Sequence, residues 1–115
     1  MLNPKKWMTD VMNALIPAKT TFTPTTGSSY SSYGGCYYEK MGRLVHIHLG
    51  LSGLTANTRH TVYNLQQSLR PSTAIFAVGQ TDSASSTCNL IVNSSGSVTV
   101  LSQSTYCSAD VIFMI

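Results

Sequence analysis

The stretch from residue 35 to residue 54 constrains the fold more than any other part of the sequence, because it has the pattern of a β-hairpin. Two runs of strand-forming residues meet at a short turn, where Gly42 can supply the positive φ that a tight turn needs. After the turn, four apolar residues share one face of a strand with a side-chain period of two: Val45, Ile47, Leu49 and Leu51. His46 and His48 share the opposite face. One face of this strand is therefore predicted to be core, and the other carries two imidazoles.

The rest of the chain beyond residue 35 continues this pattern, with short strand candidates separated by turn signals. The predicted strands are 36–41, 43–51, 60–65, 73–79, 87–93, 97–102 and 109–115. The last of them is apolar at every position from 111 to 115, so we expect it to be covered on both faces, at the centre of a sheet or at a subunit interface. We predict an all-β domain over residues 35–115, an antiparallel β-sandwich of jelly-roll type.

Residues 1–17 have the pattern of a short amphipathic helix. Asn3 before Pro4 is a helix-start signal, and Pro17 ends the pattern. An apolar stripe recurs at i+4 spacing: Trp7, Val11 and Leu15. A helix of this length does not persist alone in water, so we expect the stripe to dock, either on another copy of the chain or on its own β-domain.

Residues 18–34 are rich in Thr, Ser and Gly and have few apolar side chains. This composition favours an extended polar linker or arm between the helix and the β-domain. Tyr30 and Tyr33 stand at its end, where they would pack on the domain or face a ligand.

Low charge is the main compositional signal. Only 10% of residues are Asp, Glu, Lys or Arg, compared with about 25% in typical soluble domains. Such a polar but weakly charged surface suits proteins that pack into assemblies or contact glycans in virion or extracellular settings. The net charge of +3 comes from scattered residues, so we expect no nucleic-acid partner. No signal peptide and no apolar run long enough for membrane insertion are found in the sequence.

Cys36, Cys88 and Cys107 form no compact metal-binding spacing. The sequence therefore favours small buried thiols over a disulfide or a zinc site, as in a protein assembled in a reducing cytoplasm.

Sequence motifs for catalysis are missing, since there is no nucleophile elbow, phosphate loop or zinc-binding helix pattern. The four carboxylates, Asp10, Glu39, Asp82 and Asp110, are far apart in sequence. We predict a protein that is not an enzyme and has no cofactor. Because distant residues can converge in a fold, a hydrolase with paired carboxylates stays open as an alternative.

His46 and His48 lie about 7 Å apart along one strand face, a spacing compatible with divalent metal ligation. Two ligands do not make a site, but three chains meeting at a threefold axis would supply six imidazoles. The favoured alternative is that these histidines bind no metal. Given the low charge and the apolar last strand, we expect them at or near a subunit interface, together with the apolar stripe of the helix.

Five residues are candidates for ligand contact because they are predicted on loops or strand edges: Tyr30, Tyr33, Gln80, Asp82 and Tyr106. Tyrosine offers an apolar ring with a polar tip, which suits contacts with glycans and proteins. Residues 80–87 form a polar loop beside strand ends, where β-sandwiches commonly bind ligands.

Several of these segments, taken in order, carry a family resemblance. They are the hairpin sequence 38–47, the Gly-Leu-Ser-Gly-Leu stretch 50–54, the step Leu69-Arg70-Pro71, the hairpin 93–100 and the apolar last strand. Residues 35–115 thereby resemble the compact C-terminal β-sandwich heads of bacteriophage tail-fibre and receptor-binding proteins. That family usually has a long N-terminal shaft, whereas this chain has a short predicted helix and a polar arm. No binding residue of the family maps onto this chain by motif.

The resemblance implies a homotrimeric virion protein, assembled in the host cytoplasm. Its β-domain would adhere to host surface glycans, and its helix and arm would attach it to other virion proteins. Two alternatives remain, a capsid-decoration or head-fibre protein that stabilises the virion, and a small glycan-active β-sandwich enzyme.

Overall fold

The computed structural model describes residues 19–115, so the predicted helix at 1–17 lies outside the described residues. The described part contains nine β-strands and two single-turn 3₁₀ helices, and no α-helix. The strands are β1 Thr20–Thr21, β2 Ser28–Ser29, β3 Tyr37–Met41, β4 Leu44–Ser52, β5 Arg59–Asn64, β6 Ile75–Gln80, β7 Thr87–Val92, β8 Ser97–Ser102 and β9 Cys107–Met114. The 3₁₀ helices are η1 Ser31–Tyr33 and η2 Gln67–Leu69.

The all-β prediction is confirmed, and every strand pair in the described residues is antiparallel. The seven predicted strands correspond to β3–β9, with each boundary within two residues. Gly42 and Gly96 adopt the positive φ angles, 60° and 97°, that their turns require. The strand positions could therefore be predicted mainly from the alternation of apolar and polar side chains and from the turn glycines.

The strands form a single curled sheet in the order β1-β3-β4-β9-β6-β7-β8-β5, and β2 pairs with the far end of β4. The curl gives the sheet the shape of a half-barrel. β6 and β9 are joined by one residue pair, Gln80 with Ser108. This pair, which we call the seam, divides the sheet into a group of five strands, β1-β3-β4-β9 with β2 on β4, and a group of four, β6-β7-β8-β5.

The core fills the concave side of the curled sheet. The four residues predicted on the apolar face of β4 are all fully buried. β9 lies between β4 and β6, as expected for a central strand, and it pairs with β4 over eight residues. Only alternate residues of β9 are buried, however, and Ile112 and Met114 are 63% and 65% exposed on the convex side. In the single chain, the last strand is therefore covered on one face and not on both.

Residues 18–34 were predicted to be an extended linker or arm, but the described part, residues 19–34, is paired with the sheet. β1 pairs with β3, and β2 pairs with β4. Between them, the Phe22 ring stacks on Tyr63 of β5 at 4.0 Å, and the Thr25 N–H donates to the Val62 carbonyl at 2.8 Å. Residues 22–26, which we call the strap, thus run from one edge strand of the sheet to the other. Apart from the Phe22 ring, the strap is held by hydrogen bonds from backbone N–H groups and from the Thr25 and Thr26 hydroxyls to the Thr61 carbonyl, so a polar sequence can form it.

None of the helical segments in residues 19–115 has the length and apolar character that a membrane crossing requires.

Candidate functional site

Three of the predicted contact residues meet at one end of the sheet. Tyr30 follows β2, Tyr33 ends the 3₁₀ helix η1, and Tyr106 precedes β9. The ring centroids of Tyr30 and Tyr33 are 4.8 Å apart, and those of Tyr30 and Tyr106 are 5.4 Å apart. Tyr33 and Tyr106 are separated by 6.1 Å. All three rings are half-buried, so this tyrosine cluster presents aromatic surface to solvent.

The backbone around Gly50 positions the tyrosine cluster. The Tyr30 N–H donates to the Gly50 carbonyl at 2.8 Å, and the Gly50 N–H donates to the Gly35 carbonyl at 2.9 Å. A Cβ on Gly50 would lie 2.6 Å from the Tyr33 carbonyl oxygen. Only glycine at this position therefore lets η1 approach β4 so closely.

Gln80 was predicted in a loop but ends strand β6, whereas Asp82 lies in the loop between β6 and β7. Both line an open groove of about 400 Å³. The groove is lined by polar and small residues from 79 to 87. Partial burial raises the pKa of the Tyr33 hydroxyl, and the negative charge of Asp82 raises it further. Gln80 pairs with Ser108, two residues after Tyr106. All five predicted contact residues are thus located at the same end of the sheet.

The two predicted histidines sit in a charged cluster on the convex side. Glu39 of β3 is opposite His46, and Asp110 of β9 is opposite His48. The Nδ1 atom of His46 is 3.1 Å from Glu39 Oε1, and its Nε2 atom is 2.8 Å from Asp110 Oδ1. The Nδ1 atom of His48 is 2.8 Å from the same Asp110 oxygen. We call these four residues the histidine cluster.

Every ring nitrogen in the histidine cluster faces an acceptor, because the Nε2 atom of His48 lies 2.5 Å from the Tyr33 carbonyl oxygen. A neutral imidazole donates only one hydrogen bond, so the arrangement is fully satisfied when both rings are protonated. Burial raises the pKa of the Asp110 carboxyl, but the hydrogen bonds from both histidines outweigh it and lower the pKa overall.

The histidine cluster contacts the tyrosine cluster. The carbonyl that accepts from His48 belongs to Tyr33, and the ring of Tyr37 stacks on His48 at 5.0 Å. The Lys19 ammonium nitrogen lies 4.4 Å from the centre of the Tyr37 ring. A Cβ on Gly34 would lie 3.0 Å from His48 Nε2, so the turn after η1 also closes over this ring.

The convergence of two carboxylates on His46 was not foreseen from their sequence separation. It arises because β3 and β9 flank β4 on opposite sides. Within residues 19–115, no group of three or more His, Cys, Asp or Glu side chains is arranged to hold a metal ion. In the single chain both histidines bind Asp110, and metal ligation on a threefold axis stays a prediction.

An exposed apolar surface lies on the convex side, and the sequence indicated only its β9 part, through the expectation that the last strand needs cover on both faces. We call it the outer apolar face, and it comprises Met41, Leu44, Phe76, Val78, Ile112 and Met114. Phe76 and Val78 are 72% and 71% exposed. The signal was present in the sequence, since β6 and β9 are apolar at positions of both parities. Ile112 is opposite His46, so the histidine cluster borders this face.

The interface prediction for Trp7, Val11 and Leu15 concerns residues outside the described part of the chain. Comparison with protein-family models and with curated protein sequences gives no match.

Proposed function

We propose that the chain is a structural protein of a phage virion, a trimeric fibre tip or receptor-binding head that adheres to glycans on the host surface. The observation that carries the proposal is the meeting of Tyr30, Tyr33 and Tyr106 beside the polar groove of residues 79–87. Exposed tyrosine rings offer flat apolar surfaces to the C–H faces of sugars, and the nearby hydroxyl and amide groups can bind sugar hydroxyls. A carboxylate, Asp82, lies in the same groove.

The fold proposed for this protein is a jelly-roll-type sandwich. The seam supports it, because the sheet is held there by a single residue pair, with five strands on one side and four on the other. The core between the two groups contains side chains from both, such as Leu49 of β4 and Leu90 of β7.

Assembly into a homotrimer would use the outer apolar face. Six large apolar side chains are exposed on this side of the sheet, and extensive exposed apolar surface is typical of interaction sites. His46 and His48 border the face and would lie at or near the subunit boundary, as proposed from the sequence. A trimer presents three copies of a weak glycan site together, and linked copies gain avidity without new contacts.

The N-terminal residues would attach the protein to other virion components. Residues 1–17 carry the apolar stripe that needs a docking surface, and they precede β1 at the edge of the sheet. Such a protein would be assembled in the host cytoplasm and would act in the virion.

Binding of the purified protein to whole host cells and to a glycan array tests the proposal. The cells are a panel of bacterial strains, and the strains that bind the protein identify the host. We expect binding that falls at least tenfold in the variants Tyr106→Ala and Asp82→Ala. The control is Ser94→Ala, in the exposed β7–β8 turn at the opposite end of the sheet.

Other outcomes would favour the alternatives. Binding to phage capsids without binding to cells or glycans would favour a capsid-decoration protein. Cleavage of a bound glycan, lost in Glu39→Gln or Asp110→Asn, would favour a glycan-active enzyme. A strictly monomeric protein would contradict both virion proposals.

A further inference from the structure

Two of the three cysteines lie side by side in the core. The sulfur atoms of Cys88 and Cys107 are 2.8 Å apart, and both residues are buried. The third cysteine, Cys36, is also buried, but its sulfur lies 3.6 Å from the carbonyl oxygen of Gly50. Cys88 and Cys107 are therefore in contact with each other, whereas Cys36 contacts a backbone carbonyl.

The cysteine pair spans strands that are not hydrogen-bonded neighbours. Cys88 belongs to β7 and Cys107 begins β9, while β6 runs between these strands with Gly79 opposite Cys88. A Cβ on Gly79 would lie 2.8 Å from the Cys88 sulfur and 2.7 Å from the Cβ of Ala109. The missing side chain at Gly79 therefore lets residues of β7 and β9 close over β6 and meet.

In the structure all three cysteines are buried free thiols. We propose that, once the protein meets an oxidising environment outside the reducing cytoplasm, Cys88 and Cys107 form an intramolecular disulfide bond that links the two strand groups across the seam. A disulfide has an S–S length of about 2.05 Å, so the two sulfur atoms need only a small side-chain adjustment to reach bonding distance. The bond adds a covalent connection close to the single residue pair that joins β6 to β9.

Forming the bond removes one proton and one electron from each thiol, so it needs a two-electron oxidant such as oxidised glutathione. The Cys88 thiolate attacks one glutathione sulfur, breaks the glutathione S–S bond and releases one glutathione thiolate. The Cys107 thiolate then attacks the Cys88 sulfur, forms the Cys88–Cys107 bond and releases the second glutathione. The same two steps lead to the same bond if Cys107 reacts first and Cys88 second.

Burial of both sulfurs determines when exchange happens. Glutathione cannot reach them in the closed core, so the reaction takes place while the chain folds or when the core opens locally. Once formed, the bond is protected from reductant by the same burial. Closing the loop between residues 88 and 107 restricts the unfolded chain, and we expect a rise in melting temperature on the order of 10 °C.

Refolding of the full chain tests the proposal. The protein is denatured and reduced, then refolded either with excess reduced glutathione or in a mixture of reduced and oxidised glutathione. After the oxidising refold, we expect an intact mass lower by two hydrogen atoms and one free thiol per chain in denaturant. A non-reducing digest is expected to show one linked peptide pair containing Cys88 and Cys107.

Two variants control the assignment. Cys36→Ala should keep the linked pair and the higher melting temperature, whereas Cys88→Ala should lose both. If a variant fails to fold, the intact mass, the thiol count and the digest of the unmodified chain still decide the proposal. The proposal is overturned if all three thiols remain free after the oxidising refold, or if the digest links Cys36 to either partner.

Discussion

At the scale of single residues, the histidine cluster is a hydrogen-bond network in which every ring nitrogen of two histidines faces an acceptor oxygen. Asp110 accepts from both His46 and His48, and the remaining ring nitrogens face Glu39 and the Tyr33 carbonyl. The Asp110 carboxylate accepts these hydrogen bonds best when it is ionised, so its contribution to stability depends on its ionisation. More than half of the Asp110 side chain is exposed, at 57%, so solvent weakens the interaction.

We predict that Asp110→Asn lowers the free energy of unfolding by at most about 1 kcal/mol. The folded pKa of Asp110 is lower than its ordinary value of 3.8, so its contribution is present above pH 3.8 and is lost as pH falls through the folded pKa. The difference between wild type and variant should therefore shrink as the pH falls through the folded pKa of Asp110. Urea unfolding across pH measures it, with Asp82→Asn as control. A difference independent of pH would contradict the prediction.

Gly50→Ala should be more disruptive, because the new Cβ would lie 2.6 Å from a backbone oxygen that cannot move alone. We expect a loss of about 1–3 kcal/mol in stability, as for other overpacked sites, and reduced glycan binding through displacement of Tyr33. Gly42→Asn is the matched control, since nothing lies within 4 Å of that Cβ and Asn tolerates a positive φ. Equal stability of the two variants would argue against the close approach of η1 to β4.

At the scale of elements, β3–β9 were predictable from sequence, and the strap was not. Period-two alternation and turn glycines are local signals, so they fixed strands such as β4 and β8 within a residue or two. β1, β2 and the strap form from Thr and Ser residues whose backbone groups pair with distant strands. No local pattern encodes such pairing, so residues 18–34 were predicted as a linker.

Phe22→Ala should release the strap from β5. The variant loses the ring contact with Tyr63 and part of its burial, at an expected cost of about 1–3 kcal/mol. Hydrogen exchange measures the local effect, and we expect faster exchange at Thr25, whose N–H donates to Val62. Thr23→Ala, at an exposed position in the same segment, is the control. Unchanged exchange at Thr25 would show that Phe22 does not hold the strap.

At the scale of the whole molecule, the sequence singled out candidate contact residues but did not reveal that they lie together in the fold. Tyr30, Tyr33 and Tyr106 were chosen separately from their residue type and expected loop positions, and the fold brings them together. The outer apolar face was harder to foresee, because an apolar strand in sequence does not reveal whether its second face is covered by the same chain. Here Phe76, Val78 and Ile112 remain exposed.

Val78→Lys should prevent assembly through the outer apolar face. A charge placed among these apolar side chains would lose its hydration when a second copy covers the face, which disfavours association. We expect the wild type to be a trimer by light scattering and the variant to be a monomer with an unchanged circular dichroism spectrum. Ser95→Lys adds the same charge in an exposed turn and should stay trimeric. A trimeric Val78→Lys variant would place the interface elsewhere.

The position of β9 beside β4 also bears on how fast the chain folds. β6, β7 and β8 are consecutive in sequence and pair as hairpins, whereas β4 must wait for β9, which follows after all four strands of the other group. Loop closure over that distance is slow, so the hairpins of β6–β8 should form in the transition state and the β4–β9 pairing later. In stopped-flow experiments, Val100→Ala should therefore slow folding, whereas Val111→Ala should mainly speed unfolding.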